Sequence, residues 1–356
     1  MSFDRLRWAE KLSAFKPDEG WNQVVTVDMH TAGEPLRILV SGAPEIPGKN
    51  VIQRREYCKS QLEHLRTLLM WEPRGHADMY GCILTPPNEK FMGDQADFGV
   101  LFLHNEGYSS MCGHGIIAVT KLVVESEWVP AVEPITTVKI DSPAGRITAS
   151  ATVKGGQVTS VSFENVPAFV TMADQRVNVG SLGLIQFDLA YGGAYYAYVD
   201  IEQFDFALAK KNVEQLIDVG RRIKVAVEQQ CEINHPEHEE LSFLYGTVFY
   251  GSARDPRHHS RNVCVFADGE VDRSPTGTGV SGRAAILHAR GEIELGQTIT
   301  IESILGTTFD VCALREIELG SKPAIIPKVT GVAYFTGRNE YWIDPADPHR
   351  HGFLIR

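Results

Sequence analysis

Two short turns decide the fold that this sequence predicts. Residues 109–115 read Ser-Ser-Met-Cys-Gly-His-Gly, and residues 272–279 read Asp-Arg-Ser-Pro-Thr-Gly-Thr-Gly. Cys112 in the first turn and Thr276 in the second occupy matching places, at an offset of 164 (276 − 112). Both turns run directly into apolar segments, and their glycines carry no Cβ that would keep a ligand from the backbone. We therefore expect each turn to open one helix.

Other local patterns recur in the same order and at nearly the same offset. Met79-Tyr80-Gly81 returns as Leu244-Tyr245-Gly246, an offset of 165 (244 − 79). Ile140-Asp141-Ser142 returns as Ile301-Glu302-Ser303, an offset of 161 (301 − 140). Matches that stay in register along the chain indicate an internal duplication. The sequence thus predicts two similar halves related by a pseudo-two-fold axis, with the site in the cleft between them.

Short apolar segments rich in β-branched residues dominate the rest of the chain. They predict strands that include residues 24–27, 138–140, 158–163 and 298–301. The clearest predicted helices are Gly113 to Glu125, Val213 to Gln230 and Gly279 to Arg290. Strands cluster around single long helices and do not alternate with them, so the pattern predicts an α+β fold rather than a doubly wound parallel sheet.

The repeats also suggest how the chain divides. We expect an N-terminal extension over residues 1–22, a first half with Cys112 over 23–185, and a second half with Thr276 over 186–329. The remaining segment, 330–356, contains the apolar run Val332 to Phe335 and is expected to return to the first half as an added strand.

Composition excludes several classes of partner. The 34 Lys and Arg residues face 45 Asp and Glu residues, and the net charge of −11 repels a nucleic-acid backbone. The N-terminal residues lack the apolar run of a signal peptide, and no stretch is long enough for a membrane span. Six scattered cysteines without a CxxC pair indicate reduced thiols. We expect a cytoplasmic protein that binds neither nucleic acid nor membrane.

The chemistry suggested by the two turns is removal of a proton from carbon. A helix N-terminus stabilises a thiolate, so we expect the pKa of Cys112 to be lowered. Two facing helix N-termini could hold one carboxylate, and a tightly hydrogen-bonded carboxylate spreads the charge of a carbanion formed beside it. The simpler interpretation is a pair of glycine-rich helix caps with a buried cysteine; the duplicated placement favours catalysis.

These motifs resemble the proline racemase family. The matching elements span residues 28–306, most of the chain. They are Asp28 to Pro35, Arg74-Gly75-His76 with Asp78 and Met79, Met111 to His114, Tyr191 to Gly193, Arg261-Asn262, and Asp272 to Gly279. The resemblance implies two halves of the diaminopimelate epimerase-like fold, each a mainly antiparallel curved sheet around a central helix, which close over the substrate. It also implies a homodimer.

The same resemblance implies a role for each matching residue. Cys112 would be the base that removes the α-hydrogen of a cyclic amino acid. The pairs Gly113-His114 and Gly277-Thr278 would bind the substrate carboxylate, and Asp272 would contact the ring nitrogen. No cofactor and no metal is implied, and the sequence contains no Walker loop, Rossmann fingerprint or zinc-ligand spacing.

Thr276 departs from the members of this family that racemise or epimerise, because those carry a cysteine in both turns. A threonine hydroxyl is a poor proton donor to carbon, so exchange from two faces is expected to fail. The Cys and Thr pairing resembles that of family members that dehydrate trans-3-hydroxy-L-proline to Δ1-pyrroline-2-carboxylate, a hydro-lyase reaction. The alternative within the family is a 4-hydroxyproline epimerase or proline racemase.

Two other classes were weighed. A thiol hydrolase would pair Cys112 with His114, but a spacing of two residues at a helix start is expected to place them poorly for that. A non-catalytic amino-acid binding protein would tolerate loss of the thiol. His30 and His76 lie in turn-like sequence, where they could line the pocket, and a structural hydrogen-bonding role is the favoured interpretation of both. His235 to Glu240 is expected to be a solvated acidic loop rather than a metal site, because Pro236 interrupts any helix there.

Overall fold

The structure, a computed structural model, describes residues 5–89 and 94–355. Its helices are α1 (Arg5–Ser13), α2 (Val51–Gln61), α3 (Glu63–Met70), α4 (Gly113–Glu125), α5 (Val213–Gln230) and α6 (Gly277–Ala289). Short 3₁₀ turns lie at Gly180–Leu182, Ile201–Gln203, Lys210–Asn212 and Glu239–Leu241. Within these described ranges, none of the helices has the length and apolar character needed to cross a membrane.

Eighteen strands among the described residues surround these helices. The first nine are β1 (Asn22–Thr31), β2 (Glu34–Ser41), β3 (Tyr80–Thr85), β4 (Phe98–His104), β5 (Tyr108–Ser109), β6 (Ile135–Ser142), β7 (Gly145–Lys154), β8 (Gln157–Glu164) and β9 (Phe169–Asn178). The others are β10 (Leu184–Tyr191), β11 (Tyr195–Asp200), β12 (Leu244–Gly251), β13 (Ser260–Phe266), β14 (Glu270–Val271), β15 (Thr298–Glu302), β16 (Thr308–Leu319), β17 (Lys322–Gly331) and β18 (Ala333–Ile343).

Strand pairing follows the same order twice. In the first half β2 pairs with β3 in parallel and β4 with β6 in parallel, while β1–β2, β3–β4, β4–β5 and β6–β7 are antiparallel. In the second half the parallel pairs are β11–β12 and β13–β15, and the others are again antiparallel. The predicted α+β fold with two similar halves is therefore confirmed.

The two halves exchange strands at their edges. β18, which follows the second half, pairs antiparallel with β1, and β9, which precedes β10, pairs antiparallel with it. β8 and β17 complete the junction as an antiparallel pair. Position 185/186, the expected boundary between the halves, falls inside β10. The division into domains stays a prediction, and the strand pairing shows that each half is completed by residues from beyond it.

The helices α4 and α6 form the centre of the molecule. Nearly every residue of both is buried, and α4 is apolar around most of its circumference, as expected for a helix enclosed by sheet. Their N-termini meet at Gly113 and Gly277. A Cβ on Gly113 would lie 2.6 Å from the Cα of Gly277, and a Cβ on Gly277 would lie 2.5 Å from the Cα of Gly113. Only glycine allows this approach, because such contacts are shorter than any real Cβ makes.

Several predicted elements differ from those observed. The helices α4 and α5 have the predicted bounds, whereas α6 begins at Gly277, two residues before the predicted start, and ends at Ala289. The sequence reading missed α2 and α3. The expected N-terminal extension contains α1. Its side chains Trp8 and Leu12 are exposed, as is Phe15, whose ring lies 5.6 Å from that of Trp342 between centroids.

We predict that Gly277→Ala destabilises the protein by about 1–3 kcal/mol, because the added methyl group must push the two helix N-termini apart. Gly337→Ala is the control, since an added Cβ there meets nothing within 4 Å. The control should change the free energy of unfolding by less than about 0.5 kcal/mol. Chemical denaturation of both variants checks the prediction, and equal stability of G277A and wild type would contradict the close helix contact.

Candidate active site

A small cavity lies where the N-termini of α4 and α6 meet. The seven residues expected to act on or bind the substrate all line it: Cys112, Gly113, His114, Asp272, Thr276, Gly277 and Thr278. The other lining residues are Tyr80, Met111, Tyr196, Tyr245 and Phe266. The cavity measures about 20 Å³, which is room for about one water molecule between the two turns. Both turns contribute to one shared pocket.

Cys112 is the N-cap residue of α4, and its sulfur faces the first turn of the helix. The backbone N–H of Gly115 donates to Cys112 Sγ over 3.2 Å, and the N–H of Ile116 donates to the Cys112 carbonyl oxygen over 3.0 Å. The N–H groups of Gly113 and His114 have no intrahelical acceptor at this end of the helix. They remain available to an anion beside the sulfur.

Burial has the opposite effect on Cys112 from the one expected from sequence. Removal from water raises the pKa of the thiol well above its usual value, and the N–H of Gly115 opposes that rise without overcoming it. The carboxyl groups of Asp272 and Glu34 raise it further. The expectation of a lowered pKa is therefore wrong, because the helix N-terminus is fully enclosed and desolvation is the larger effect. The thiol is neutral there.

His114 lies against this thiol. Its Nδ1 is 3.2 Å from Cys112 Sγ, and its Nε2 is 3.6 Å from the same sulfur. Burial lowers the pKa of His114 to about 4, so the ring is neutral at neutral pH. A neutral imidazole has one N–H and one acceptor nitrogen, so the ring can accept the proton of the thiol.

This contact corrects one argument from sequence. The spacing of two residues was expected to place Cys112 and His114 poorly for a nucleophile and base pair, and their atoms nevertheless lie within hydrogen-bond distance. The reason is that the cysteine side chain caps the helix and folds toward its first turn, where the histidine ring also lies. The geometry of this pair therefore does not exclude a hydrolase.

Thr276 occupies the matching N-cap position of α6 in a strained backbone conformation. Its φ is 69°, a value that β-branched residues rarely adopt, whereas Cys112 has a φ of −146°. The hydroxyl oxygen is buried without an oxygen or nitrogen partner among the described residues, and the Cys264 thiol lies beside it. Strain of this kind is typical of functional sites that the surrounding structure holds in place.

Asp272 supplies the acidic group of the cavity. Its Oδ1 accepts the backbone N–H of Ser274 over 2.7 Å, in the turn before Thr276. Ser274 Oγ in turn accepts the N–H of Thr276 over 3.1 Å. The carboxylate and the strained threonine are thus positioned by one chain of hydrogen bonds.

Sequence reasoning missed the aromatic lining. Tyr80 and Tyr245 come from the repeated Tyr-Gly pairs of β3 and β12, and both line the cavity. The Tyr80 ring packs edge-on against His114 at 4.8 Å between centroids, and Tyr196 Oη lies 2.7 Å from Thr278 Oγ1. The duplication contained a usable signal, because a tyrosine that recurs at the same place in both halves is placed symmetrically about the cleft.

The other histidines singled out in the sequence lie elsewhere. His30 Nδ1 accepts the N–H of Gly33 over 3.3 Å, and His76 Nδ1 lies 2.7 Å from the Ala77 carbonyl oxygen. Neither lines the cavity. His235 packs edge-on against Tyr191 at 4.7 Å. Across residues 5–89 and 94–355, no group of three His, Cys, Asp or Glu side chains is placed to hold a metal ion.

Comparison with known proteins gives a consistent picture. The sequence model of the family described as Proline racemase matches residues 26–354. A curated relative from Colwellia psychrerythraea, named Trans-3-hydroxy-L-proline dehydratase, is 48% identical over 98% of this chain and 96% of that relative. A relative from Burkholderia multivorans, named 3-hydroxyproline 2-epimerase, is 46% identical over 93% of this chain and 98% of its own length.

A solved structure shares the whole architecture. It is a hydroxyproline epimerase from Agrobacterium vitis with bound trans-4-hydroxy-L-proline, and it superposes with a TM-score of 0.86 at 31% identity. The match covers 94% of this chain and 96% of that one. The likeness therefore extends over both halves and the cleft between them.

We predict that Cys112 ionises only above the range of an ordinary thiol, whose pKa is about 8.5, because burial raises its pKa. The ultraviolet absorbance of thiolate, measured through a pH titration of wild type and of Cys112→Ser, isolates this group as the difference between the two proteins. A difference signal that is already complete below about pH 7 would contradict the neutral thiol.

Proposed function

The chain belongs to the proline racemase family, and we propose that it dehydrates trans-3-hydroxy-L-proline to Δ1-pyrroline-2-carboxylate as a hydro-lyase. The observation that carries this proposal is the unequal pair of helix-capping residues, Cys112 and Thr276, on one small cavity. Relatives that are 44% to 48% identical and named Trans-3-hydroxy-L-proline dehydratase support it.

The substrate carboxylate is held by the two helix N-termini. The N–H groups of Gly113 and His114 on one side, and of Gly277 and Thr278 on the other, have no intrahelical acceptors and converge at the contact of α4 with α6. Helix N-termini bind anions through such groups. Asp272 takes the ring ammonium, which places both charged ends of the amino acid and directs its α-carbon toward the capping residues.

Cys112 removes the α-hydrogen. The thiol must first lose its own proton, so kcat/KM is expected to rise with pH over the range in which this raised pKa is crossed. The carbanion that forms on the α-carbon is stabilised by resonance with the carboxylate, whose oxygens are held by the four N–H groups. The bond that breaks is Cα–H, and its electron pair stays on the substrate.

Elimination then occurs on one face of the ring. In the trans isomer the 3-hydroxyl lies opposite the carboxylate and hence on the same face as the α-hydrogen. The electron pair forms the C2–C3 double bond as the C3–O bond breaks, and the hydroxide leaves as water with the proton from the Cys112 thiol. His114, 3.2 Å from the sulfur, is the second group that could deliver this proton. The enamine tautomerises to Δ1-pyrroline-2-carboxylate.

Thr276 explains why elimination is preferred to inversion. Inversion requires a proton donor on the opposite face, and a hydroxyl is a much weaker acid than a thiol. Thr276 caps α6 as Cys112 caps α4, and this matching place supports its assignment to the second face. The carbanion therefore has no route to the other configuration and instead loses its hydroxide.

Epimerisation is the second candidate, favoured by the relative named 3-hydroxyproline 2-epimerase. Two incubations in deuterated water, one with L-proline and one with trans-3-hydroxy-L-proline, separate epimerisation from dehydration. Inversion at the α-carbon would favour racemase or epimerase chemistry, whereas pyrroline formation that depends on the 3-hydroxyl favours dehydration. A homodimer and a cytoplasmic location stay predictions from the sequence.

We predict that Cys112→Ser lowers kcat for pyrroline formation about 10²- to 10⁴-fold, because a serine hydroxyl is a far weaker base than a thiolate. The matched control is Cys231→Ser at a half-buried thiol outside the cavity, which should retain activity. Each of the four common hydroxyproline isomers is assayed for pyrroline. Turnover by C112S close to wild type would contradict the role of the thiol.

We predict that Thr276→Cys lowers dehydration by about tenfold and introduces epimerisation at the α-carbon, because it places a proton donor on the second face. Thr276→Ser is the control, since it keeps a hydroxyl and adds no thiol. Chiral chromatography of the recovered substrate measures the epimer. Unchanged dehydration in T276C, with no epimer formed, would count against a role for this position.

A further inference from the structure

Glu34 is a buried acidic residue that the mechanism does not yet use. It begins β2 with a side chain only 1% exposed, behind the cavity wall and next to Asp272. It comes from the first half of the molecule, whereas Asp272 comes from the second. A buried acid is costly unless it is paired or neutral, so its surroundings decide its charge.

The two oxygens of Glu34 have different partners. Oε2 accepts the backbone N–H of Arg273 over 2.7 Å and lies 3.0 Å from Arg273 Nε. Oε1 is buried and meets no N–H or O–H donor among the described residues. Besides Arg273, the carboxyl group of Asp272 adjoins the Glu34 side chain. Two carboxyl groups in contact can bond only if one of them carries a proton.

The charges around this pair do not balance if every acid is ionised. Arg273 is the cation in contact with Glu34, and its guanidinium also donates to the carbonyl oxygens of Val271 and Asp78. The Asp78 carboxylate lies 3.9 Å from Arg273 Nη1. Of the pair, Glu34 is the carboxyl group in contact with this guanidinium, and Asp272 adds a second carboxyl group beside Glu34. Burial and the neighbouring Asp272 both raise the pKa of Glu34 well above its usual value.

We propose that Glu34 is a positioning residue that stays protonated and donates a hydrogen bond from Oε1 to Asp272, which holds Asp272 as the carboxylate that receives the substrate's ring ammonium. This role rests on the proposed function of the site. The shared proton belongs to Glu34 rather than to Asp272 for one reason. Asp272 lines the cavity, where the substrate ammonium favours the ionised form of Asp272, whereas Glu34 does not line the cavity and receives no such cation.

The arrangement has a mechanistic consequence. An ionised Glu34 would add a second negative charge close to the Cys112 thiol, and that charge would oppose formation of the thiolate. A neutral Glu34 removes this opposition while still fixing the position of Asp272. It also joins the two halves, since β2 belongs to one and the turn at Asp272 to the other.

We predict that Glu34→Gln retains kcat/KM within about fivefold of wild type, because the amide oxygen can accept from Arg273 while its NH₂ group donates to Asp272. Glu34→Leu provides no donor, and L-proline should bind about 10- to 100-fold more weakly to it by calorimetry. If Glu34 instead acted as an anion, E34Q would lose kcat/KM by more than this, because a neutral amide would leave Arg273 without its charge partner.

In E34L, the pH below which L-proline is released is expected to shift. The direction of the shift depends on whether Glu34 is protonated or ionised in wild type. If Glu34 is neutral, E34L removes a donor from Asp272, and the pH below which L-proline is released moves up. If Glu34 is ionised, E34L removes a repelling charge, and this pH moves down. Infrared difference spectra of wild type against E34Q give a test independent of the leucine variant: a lost carboxylic-acid band supports the proposal, and a lost carboxylate band overturns it.

Glu302→Gln is the matched control. Glu302 is the last residue of β15 and is 2% exposed. Its carboxylate accepts the backbone N–H groups of Arg254 and Asp255 over 3.0 and 2.8 Å and forms an ion pair with Arg261. These hydrogen bonds outweigh its burial and lower its pKa to about 2. E302Q should lose thermal stability while E34Q does not.

Absence of pyrroline formation by wild type would contradict the proposed function alone, since the infrared result does not depend on turnover.

Discussion

The contact between Gly113 and Gly277 is the constraint on which the rest of the structure depends. It brings two helix N-termini to within a distance that no side chain would allow. Each helix is wrapped by the sheet of its own half, so the contact also fixes the two halves relative to one another. The cleft, the four N–H groups that can bind a carboxylate and the opposed capping residues are consequences of this one approach.

The same closure that gathers these groups also removes water from them, and burial changes acids and bases in opposite directions. It raises the pKa of the Cys112 thiol and lowers that of the His114 ring, which leaves a neutral pair in contact. A zwitterionic amino acid suits such a site. In the proposed binding mode it brings its own anion to the helix N-termini and its own cation to Asp272, so the two charges arrive together.

Features that repeat along the chain could be predicted from the sequence, and features that depend on three-dimensional enclosure could not. The recurrence of the turns at Cys112 and Thr276 predicted the duplication, and the bounds of α4 and α5 followed from apolar periodicity. The direction of the Cys112 pKa shift was missed, because a helix N-terminus is visible in sequence while its burial is not. The role of Glu34 was equally hidden, since its partner Asp272 lies in the other half.

The chemistry resides where the two halves differ. An offset of 164 places Asp272 opposite Tyr108, Thr276 opposite Cys112 and Thr278 opposite His114 (272 − 108, 276 − 112, 278 − 114). In the proposed mechanism, one half therefore contributes the base with its neighbouring imidazole, and the other contributes the carboxylate for the ring nitrogen together with two hydroxyls. A symmetric pair of thiols would serve both faces of the α-carbon equally. Because the two halves share one frame but differ in their capping residues, the proposed carbanion forms on one face of the ring and then loses the hydroxyl group from that same face.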